Sequence, residues 1–375
     1  MLKLFSKRKY RTLNKIQISA TALRHNLNLY RQLLPNKTIC PVLKANAYGH
    51  GLIEVAQTLK KENPEFLIVD SLYEAYKLKK ANIHSKILIL GYTITENIKY
   101  KHLPFHFAVS DFESAQILAK KKAKVHLKID TGMNRMGFTP QELATFLPKF
   151  KEWNLDVKGV LTHLADPDNP QDNSFTEKQL TSFKKIVSQV HQTGFKPKWI
   201  HAGQSAGSLK QSGDFINMVR LGIGFYGINP FHKTDPAFQK LSDLKPALEL
   251  ISTLVGIRKI NKNETISYGR TFKANRKMTI GIVPVGYYEA LPWNLANKGF
   301  MEVKNVLCPI IGKICMNYTI IDLSKVKIPQ IGDAVIIYSQ NIKNPNSIIK
   351  MAKLAKTLPY ELLTRINQSI RREII

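Results

Sequence analysis

Lys44 ends a short apolar run, Ile39 to Leu43, and is followed by small residues and a Tyr48-Gly49-His50-Gly51 turn. An apolar run of that length reads as a buried strand. A lysine at the exit of such a strand is costly unless it has a role or a partner. Desolvation there lowers a lysine's pKa and frees the amine to act as nucleophile or base. Polar residues close other apolar runs in the same way: Lys128-Ile129-Asp130-Thr131-Gly132-Met133-Asn134-Arg135, then His163, then His201-Ala202-Gly203-Gln204-Ser205, then Arg220-Leu221-Gly222-Ile223. Ser205 offers a hydroxyl and the Gly222-Ile223 turn offers backbone N–H groups, a combination that suits an anion. Each residue also has a plainer reading. Lys44 can snorkel to a rim, Lys128 can pair with Asp130, and His50, Asp130 and His201 can be structural.

The elements that must position these groups alternate. Strand-like runs at Ile39–Leu43, Phe66–Asp70, Lys86–Leu90, Phe105–Val109, Val125–Ile129, Val157–Thr162, Trp199–His201 and Met218–Leu221 are mostly separated by amphipathic stretches such as Leu180, Phe183, Val187 and Val190. Apolar residues at three- and four-residue steps mark helices. Eight strands alternating with helices predict a (β/α)8 TIM-type barrel. An open doubly wound sheet is the competitor, but no Gly-x-Gly-x-x-Gly follows the first strand. In a barrel the polar strand ends share one mouth, and the loops after strands seven and eight form the usual phosphate site. A lysine, arginines and a phosphate cradle at one mouth suggest pyridoxal phosphate held as a Schiff base; a sugar-phosphate aldolase fits the same inventory. Past about Gly227 the helical periods mostly give way to short β-rich runs, Leu250–Ile257, Thr279–Val285, Pro309–Ile311, Tyr318–Ile321 and Ala334–Tyr338, so a mainly β domain is expected. The expected division is a cofactor-binding barrel over 15–240 and a β domain over 241–375, joined by an N-terminal strand within about 1–18.

Composition narrows the class. A chain of 375 residues with 44% hydrophobic content can hold two cored domains. Three cysteines are too few and too scattered for a disulfide framework or a zinc cluster, and no metal site is expected. Cysteine usage fits a reducing cytoplasm. No run is long and apolar enough to span a membrane, and the basic start with Lys3, Lys7, Arg8 and Lys9 has no apolar core behind it, unlike a secretory signal. The net charge of +29 raises the question of nucleic acid or an anionic membrane surface. The lysines, however, are spread through the whole chain without interleaved aromatics, so a lysine-rich surface is the expectation.

The second part of the chain carries Ser267-Tyr268-Gly269, Pro284-Val285-Gly286-Tyr287 and Gly312-Lys313-Ile314-Cys315-Met316-Asn317. With the Lys44 segment, Asp130-Thr131-Gly132-Met133 with Arg135, and Arg220 with Gly222, in this order and at this spacing, the sequence resembles the alanine racemase family of fold-type III pyridoxal-phosphate enzymes from about Lys15 to the C-terminus. The resemblance implies that Lys44 carries the cofactor and is one base, with Tyr268 of the neighbouring subunit the second. Arg220 faces the pyridine nitrogen and Arg135 the phenolic oxygen on the substrate side. Tyr48, Ser205, Gly222 and Ile223 hold the phosphate. His163 lies near Arg220 and tunes Tyr268, and the Met316 N–H helps bind the substrate carboxylate. Lys128 matches a lysine often carried as a carbamate. The implied protein is a cytoplasmic homodimer that racemises alanine and supplies D-alanine for peptidoglycan. The alternatives are a racemase of serine or of broad specificity, a decarboxylase of the same fold, or a non-catalytic cofactor-binding protein. Decarboxylation needs no second-face base, so Tyr268 argues against it; the presence of both bases argues against the last. The sequence departs from the family at Asn317, usually aspartate, at Tyr288-Glu289-Ala290, usually containing Asp-Gly, at Gln204, usually asparagine, and near the C-terminus, where isoleucine stands in place of a frequent tyrosine.

Overall fold

A computed structural model describes residues 10–99, 103–210 and 215–375; Lys3, Lys7, Arg8 and Lys9 lie outside them. The strands up to the end of the barrel are β1 (Lys15–Ile18), β2 (Thr38–Pro41), β3 (Phe66–Val69), β4 (Lys86–Ile89), β5 (His106–Val109), β6 (Lys124–Lys128), β7 (Asp156–Leu161), β8 (Trp199–His201) and β9 (Met218–Leu221). After them come β10 (Leu248–Thr253), β11 (Gly256–Ile260), β12 (Thr265–Ile266), β13 (Phe272–Lys273), β14 (Met278–Val283), β15 (Phe300–Val303), β16 (Val306–Pro309), β17 (Thr319–Asp322), β18 (Ala334–Tyr338) and β19 (Arg371–Ile374). The chain forms two compact units. Among the described residues, one comprises Thr21–Tyr48 and Leu52–Lys245; the other comprises 10–20, Gly49–Gly51 and Pro246–Ile375.

In the first unit β3 to β8 form one six-stranded parallel sheet in chain order, and β2 pairs in parallel with β9. The Val42–Ile68 bridge joins β2 to β3. The N–H groups of Asn217 and Arg220 donate to the Ile200 and Gly203 carbonyls at 3.0 and 3.1 Å and join β9 to β8. Among the described residues, eight parallel strands thus close into the barrel, with helices such as Leu72–Lys80, Phe112–Lys120 and Ser174–Gln192 between them. Strands β3 and β9 are buried along their whole length, as strands of a parallel sheet covered on both faces are. Helix starts are set locally. Thr139 and Glu142 form a capping box with Pro140 at the first turn of the helix Pro140–Glu152, which satisfies N–H groups that a helix start leaves open.

The second unit is mainly β. A six-stranded sheet runs in the order β16-β15-β18-β10-β1-β19, beside a three-stranded sheet β11-β14-β17 and the pair β12-β13. One local expectation is corrected, and one strand is added. Leu250–Ile257 is not one strand but two, β10 and β11, in different sheets. At the break the N–H of Leu254 donates to Asp333 O while that of Val255 donates to Ile282 O, so the chain changes partner there. The terminal strand β19 was not apparent from Arg371-Arg372-Glu373, which carry no apolar alternation. Pairing with β1 and the Arg372 guanidinium, which donates twice to Gly49 O at 2.9 and 3.1 Å, hold it.

Candidate active site

Beyond Lys44 the backbone turns left-handed over consecutive residues, with φ of 55° at Ala45, 55° at Asn46, 54° at Ala47 and 51° at Tyr48. Each non-glycine residue in this region costs roughly 1–2 kcal/mol, so the strain is on the order of 4–8 kcal/mol and must be met by its surroundings. The Ala47 N–H donates to Leu43 O at 2.7 Å. The Asn46 N–H donates to Glu74 Oε1 at 3.3 Å, and Asn46 Oδ1 accepts the Leu52 N–H at 2.9 Å. Glu74 Oε2 accepts the Asp70 N–H at 2.9 Å. One carboxylate therefore ties the lysine turn to the end of β3. The Tyr48 ring lies 4.9 Å from that of Tyr226, whose hydroxyl donates to Val42 O at 2.8 Å. Lys44 itself departs from the expectation of a desolvated amine. Its side chain is 40% exposed, and Nζ lies 3.6 Å from Asp70 Oδ1.

Lys128 is the buried lysine, 8% exposed. Burial, then the charges of Arg135, Arg220 and Lys44, bring its pKa down to about 8. It has no ion pair with Asp130 among the described residues. The Asp130 carboxylate instead accepts the N–H groups of Gly132, Asn134 and Arg135 at 2.8, 3.1 and 2.9 Å. Burial alone raises the Asp130 pKa, but these donors outweigh it and hold the carboxyl below its usual range. The structural reading of Asp130 is thus the one supported: it shapes the loop that presents the exposed Arg135.

Arg220 is 2% exposed, and no carboxylate pairs with it among the described residues. Nη1 lies 2.9 Å from His201 Nδ1 and donates to His201 O at 3.1 Å. Nη2 donates to Thr162 O and Ala202 O at 2.8 and 2.9 Å and lies 3.1 Å from His163 Nδ1. Burial lowers its pKa to about 10, so it remains a cation at neutral pH. Burial, then the Arg220 charge, brings His163 down to about 3 and keeps it neutral.

The anion cradle is assembled as well. A side-chain carbon at Gly222 would stand 3.0 Å from Tyr48 Oη and 3.7 Å from Ser205 Oγ, so two hydroxyls converge there. Ser205 Oγ accepts the Gly224 N–H at 3.1 Å, which leaves its hydrogen to donate. Burial, then Asp70, raises the Tyr48 pKa to about 12, so its hydroxyl stays protonated. Hydroxyls beside a glycine turn, a buried guanidinium with no carboxylate partner among the described residues and an accessible amine fit pyridoxal phosphate in the groups they offer.

Residues 18–230 match the family described as alanine racemase, N-terminal domain, and residues 247–374 match alanine racemase, C-terminal domain. The chain belongs to the alanine racemase family. It is 35% identical over 382 residues to the alanine racemase of Staphylococcus saprophyticus, covering 97% of this chain and 95% of that one. It is also 35% identical over 375 residues to the alanine racemase of Borreliella burgdorferi, covering 96% of each. Among solved structures, alanine racemase of Clostridium difficile 630 superposes with a TM-score of 0.90 at 30% identity, over 98% of this chain and 97% of that chain.

The remaining alanine racemase positions lie in the second unit and are described there. Tyr268 is 72% exposed and Met316 56% exposed. Tyr268 follows Ser267, whose φ is 62° and whose hydroxyl donates to Lys313 O at 2.6 Å. The Met316 carbonyl accepts the Tyr288 N–H at 3.0 Å. Two departures from the family pattern prove to be partners: Asn317 Nδ2 donates to Glu289 Oε1 at 2.9 Å, and Glu289 Oε2 accepts the Gly286 N–H at 2.8 Å. Sequence reasoning passed over Asp70, Glu74, His106 and His126. The last two carried a signal: a histidine inside each of the apolar runs Phe105–Val109 and Val125–Ile129 needs a buried partner.

Proposed function

We propose that the protein interconverts L- and D-alanine with pyridoxal phosphate bound at Lys44, as a homodimer whose sites are shared between subunits. The observation that carries this reading is Arg220. It is a buried guanidinium without a carboxylate partner among the described residues, at the same barrel mouth as Lys44 and the Tyr48–Ser205–Gly222 cradle. When bound, pyridoxal phosphate draws electrons from the substrate Cα and makes its proton acidic. Tyr48, Ser205 and the N–H groups of Gly222 and Ile223 would hold its phosphate. Arg220 would face the ring nitrogen as a donor that does not surrender its proton, which would leave the ring a weaker electron sink and disfavour transamination.

Racemisation removes a proton from one face of Cα and returns one to the other, so it uses two acid–base groups. Lys44 serves one face and Tyr268 the other. The exposure of Tyr268 on its own unit fits delivery into the partner subunit's site. His163, neutral and accepting from Arg220 at Nδ1, carries its hydrogen on Nε2 and passes the influence of Arg220 toward that tyrosine. Arg135 and the Met316 N–H bind the substrate. At a pKa of about 8 a fraction of Lys128 is a free amine at neutral pH. That amine can add carbon dioxide, forming an N–C bond and releasing a proton, and the resulting carbamate anion would orient Arg135. The enzyme would act in the cytoplasm and supply D-alanine to peptidoglycan.

The test is D/L exchange over a panel of amino acids with pyridoxal phosphate supplied, alongside Lys44→Ala and Tyr268→Phe. Alanine should give the highest kcat/KM, and Lys44→Ala should lose both activity and the absorbance of the bound cofactor. Tyr268→Phe should cost about 10²–10⁴-fold and make solvent-deuterium incorporation unequal from the two enantiomers. A wild-type protein that stays colourless with the cofactor, or equal unchanged rates in Tyr268→Phe, would overturn the reading.

A further inference from the structure

Three buried histidines continue inward from Arg220 through the barrel core. His201 Nδ1 lies 2.9 Å from Arg220 Nη1, His126 Nδ1 lies 2.9 Å from His201 Nε2, and His106 Nδ1 lies 3.1 Å from His126 Nε2. His126 and His201 are 0% exposed and His106 3%. Aromatic rings wall the chain. Phe66 sits edge-on to His106 and His126 at 4.9 and 5.6 Å, and Trp199 stacks on His126 at 5.9 Å. A side-chain carbon at Gly159 would lie 2.3 Å from His126 Nδ1, so that glycine makes room for the ring. His106 ends the series in the wall of a cavity of about 560 Å3 at the amino-terminal end of the strands, with Lys86, Lys124, Lys158 and Trp199.

The direction of every hydrogen bond follows from one end. An arginine only donates, so His201 Nδ1 accepts, and a neutral imidazole accepting at Nδ1 carries its hydrogen on Nε2. That hydrogen goes to His126 Nδ1, which forces the same tautomer there, and the His126 Nε2–H then forces it at His106. Arg220 thus dictates one tautomer at three rings and points every ring N–H away from the barrel mouth. The series does not conduct protons, because conduction would begin by removing one from a guanidinium. Its effect is on the arginine. The Arg220 charge is met by neutral acceptors alone, the ring nitrogens of His201 and His163 and three carbonyls. A tautomer flip at His201 would set N–H against N–H.

We propose that His106, His126 and His201 are positioning residues for the reaction: a tautomer-locked series that holds Arg220 in place as an unneutralised cation at the ring-nitrogen end of the cofactor site. What Arg220 does there rests on the function proposed above; the tautomers rest on the geometry of this chain alone.

The experiment joins long-range nitrogen-15 NMR of labelled histidines, with and without cofactor, to kinetics of two variants. His126→Phe keeps a ring and removes both nitrogens, whereas His126→Gln keeps one acceptor and one donor. The wild type should show the Nε2–H tautomer at His106, His126 and His201 even without cofactor. His126→Phe should lower kcat by about 10–100-fold, as loss of an orienting outer partner does. KM should be nearly unchanged, pyruvate formed per racemisation should rise, and His126→Gln should reverse both effects in large part. An Nδ1–H tautomer at wild-type His126 or His201, or a folded His126→Phe with unchanged kcat and pyruvate partition, would overturn the proposal. If His126→Phe does not fold, the wild-type tautomers and the His126→Gln kinetics decide. A wild-type protein with these tautomers but no alanine racemisation would overturn the assigned reaction and leave the series standing.

Discussion

Asn317 and Glu289 are a pair that the family pattern lacks, and they explain each other. An aspartate at 317 would bring a second carboxylate to the 2.9 Å contact now made by the amide. Asn317→Asp is therefore expected to destabilise by about 1–2 kcal/mol, the cost of a lost donor and a like charge. Adding Glu289→Gln should recover part of that loss. Additive losses in denaturant titrations of the double variant would show that the two sites are not coupled. Ala290, beside Glu289, has φ of 82°, where an L side chain is strained. Removing roughly 1–2 kcal/mol of strain against about 0.5–1 kcal/mol of added chain entropy makes Ala290→Gly stabilising by a net amount of about 0.5–1 kcal/mol. A lowered melting temperature would contradict this.

At the scale of elements, the lysine turn and the β6–β7 interface are the sensitive places. The left-handed run from Ala45 to Tyr48 survives because the Glu74 carboxylate accepts from both Asn46 and Asp70. Glu74→Gln replaces one acceptor with a donor facing an N–H. It should cost about 1–3 kcal/mol and, by loosening the turn, weaken pyridoxal phosphate binding measured by absorbance titration; wild-type affinity would show that the turn holds itself. In β7, Gly159→Ala would press a methyl onto the His126 ring. Overpacking of this kind costs about 1–3 kcal/mol, and a neutral effect in urea titration would mean that the ring has room to retreat.

At the scale of the molecule, the buried histidines set the acid limit of the fold. Burial is the first cause that lowers His106 to about 3, followed by Lys124, Lys86 and Lys158. Burial, then His106 and Arg220, lowers His126 well below its usual value, and burial, then Arg220 and His126, does the same for His201. The unfolded chain binds these protons near pH 6.5 and the native chain does not. Stability is therefore complete above about 6.5 and is lost as pH falls toward 3, by up to about 1.4 kcal/mol per pH unit for each histidine. Urea midpoints that stay flat from pH 6.5 to 5 would refute this, and His106→Asn should flatten the slope by about one proton. The proposed sharing of the site between two subunits has its own test. Lys44→Ala and Tyr268→Phe chains allowed to exchange should regain about a quarter of wild-type activity, since half the dimers are mixed and each has one intact site of two. No recovery despite proven exchange would place Tyr268 in its own chain's site.

How much of this was legible in the sequence follows from range. The eight barrel strands, the grouping of Lys44, Lys128, His163, Ser205, Arg220 and Gly222 at one mouth, and the β character of the second unit follow from apolar runs and their spacing, because strand burial and helix periodicity are written locally. The family followed from ordered motifs such as Lys44 with Tyr48 and Ser267-Tyr268-Gly269. Tertiary structure decided what depends on distant neighbours. It showed that Lys44 is exposed while Lys128 is the buried lysine, that β19 forms on β1 with no apolar pattern of its own, and that Asn317 answers Glu289. It also aligned His106, His126 and His201 into one directed series. Each histidine by itself signals at most that it needs a buried partner and not which one, since 20 and 75 residues of chain separate the partners. A hydrogen bond's direction is fixed by the group at its far end, and only folding brings Arg220 to that end.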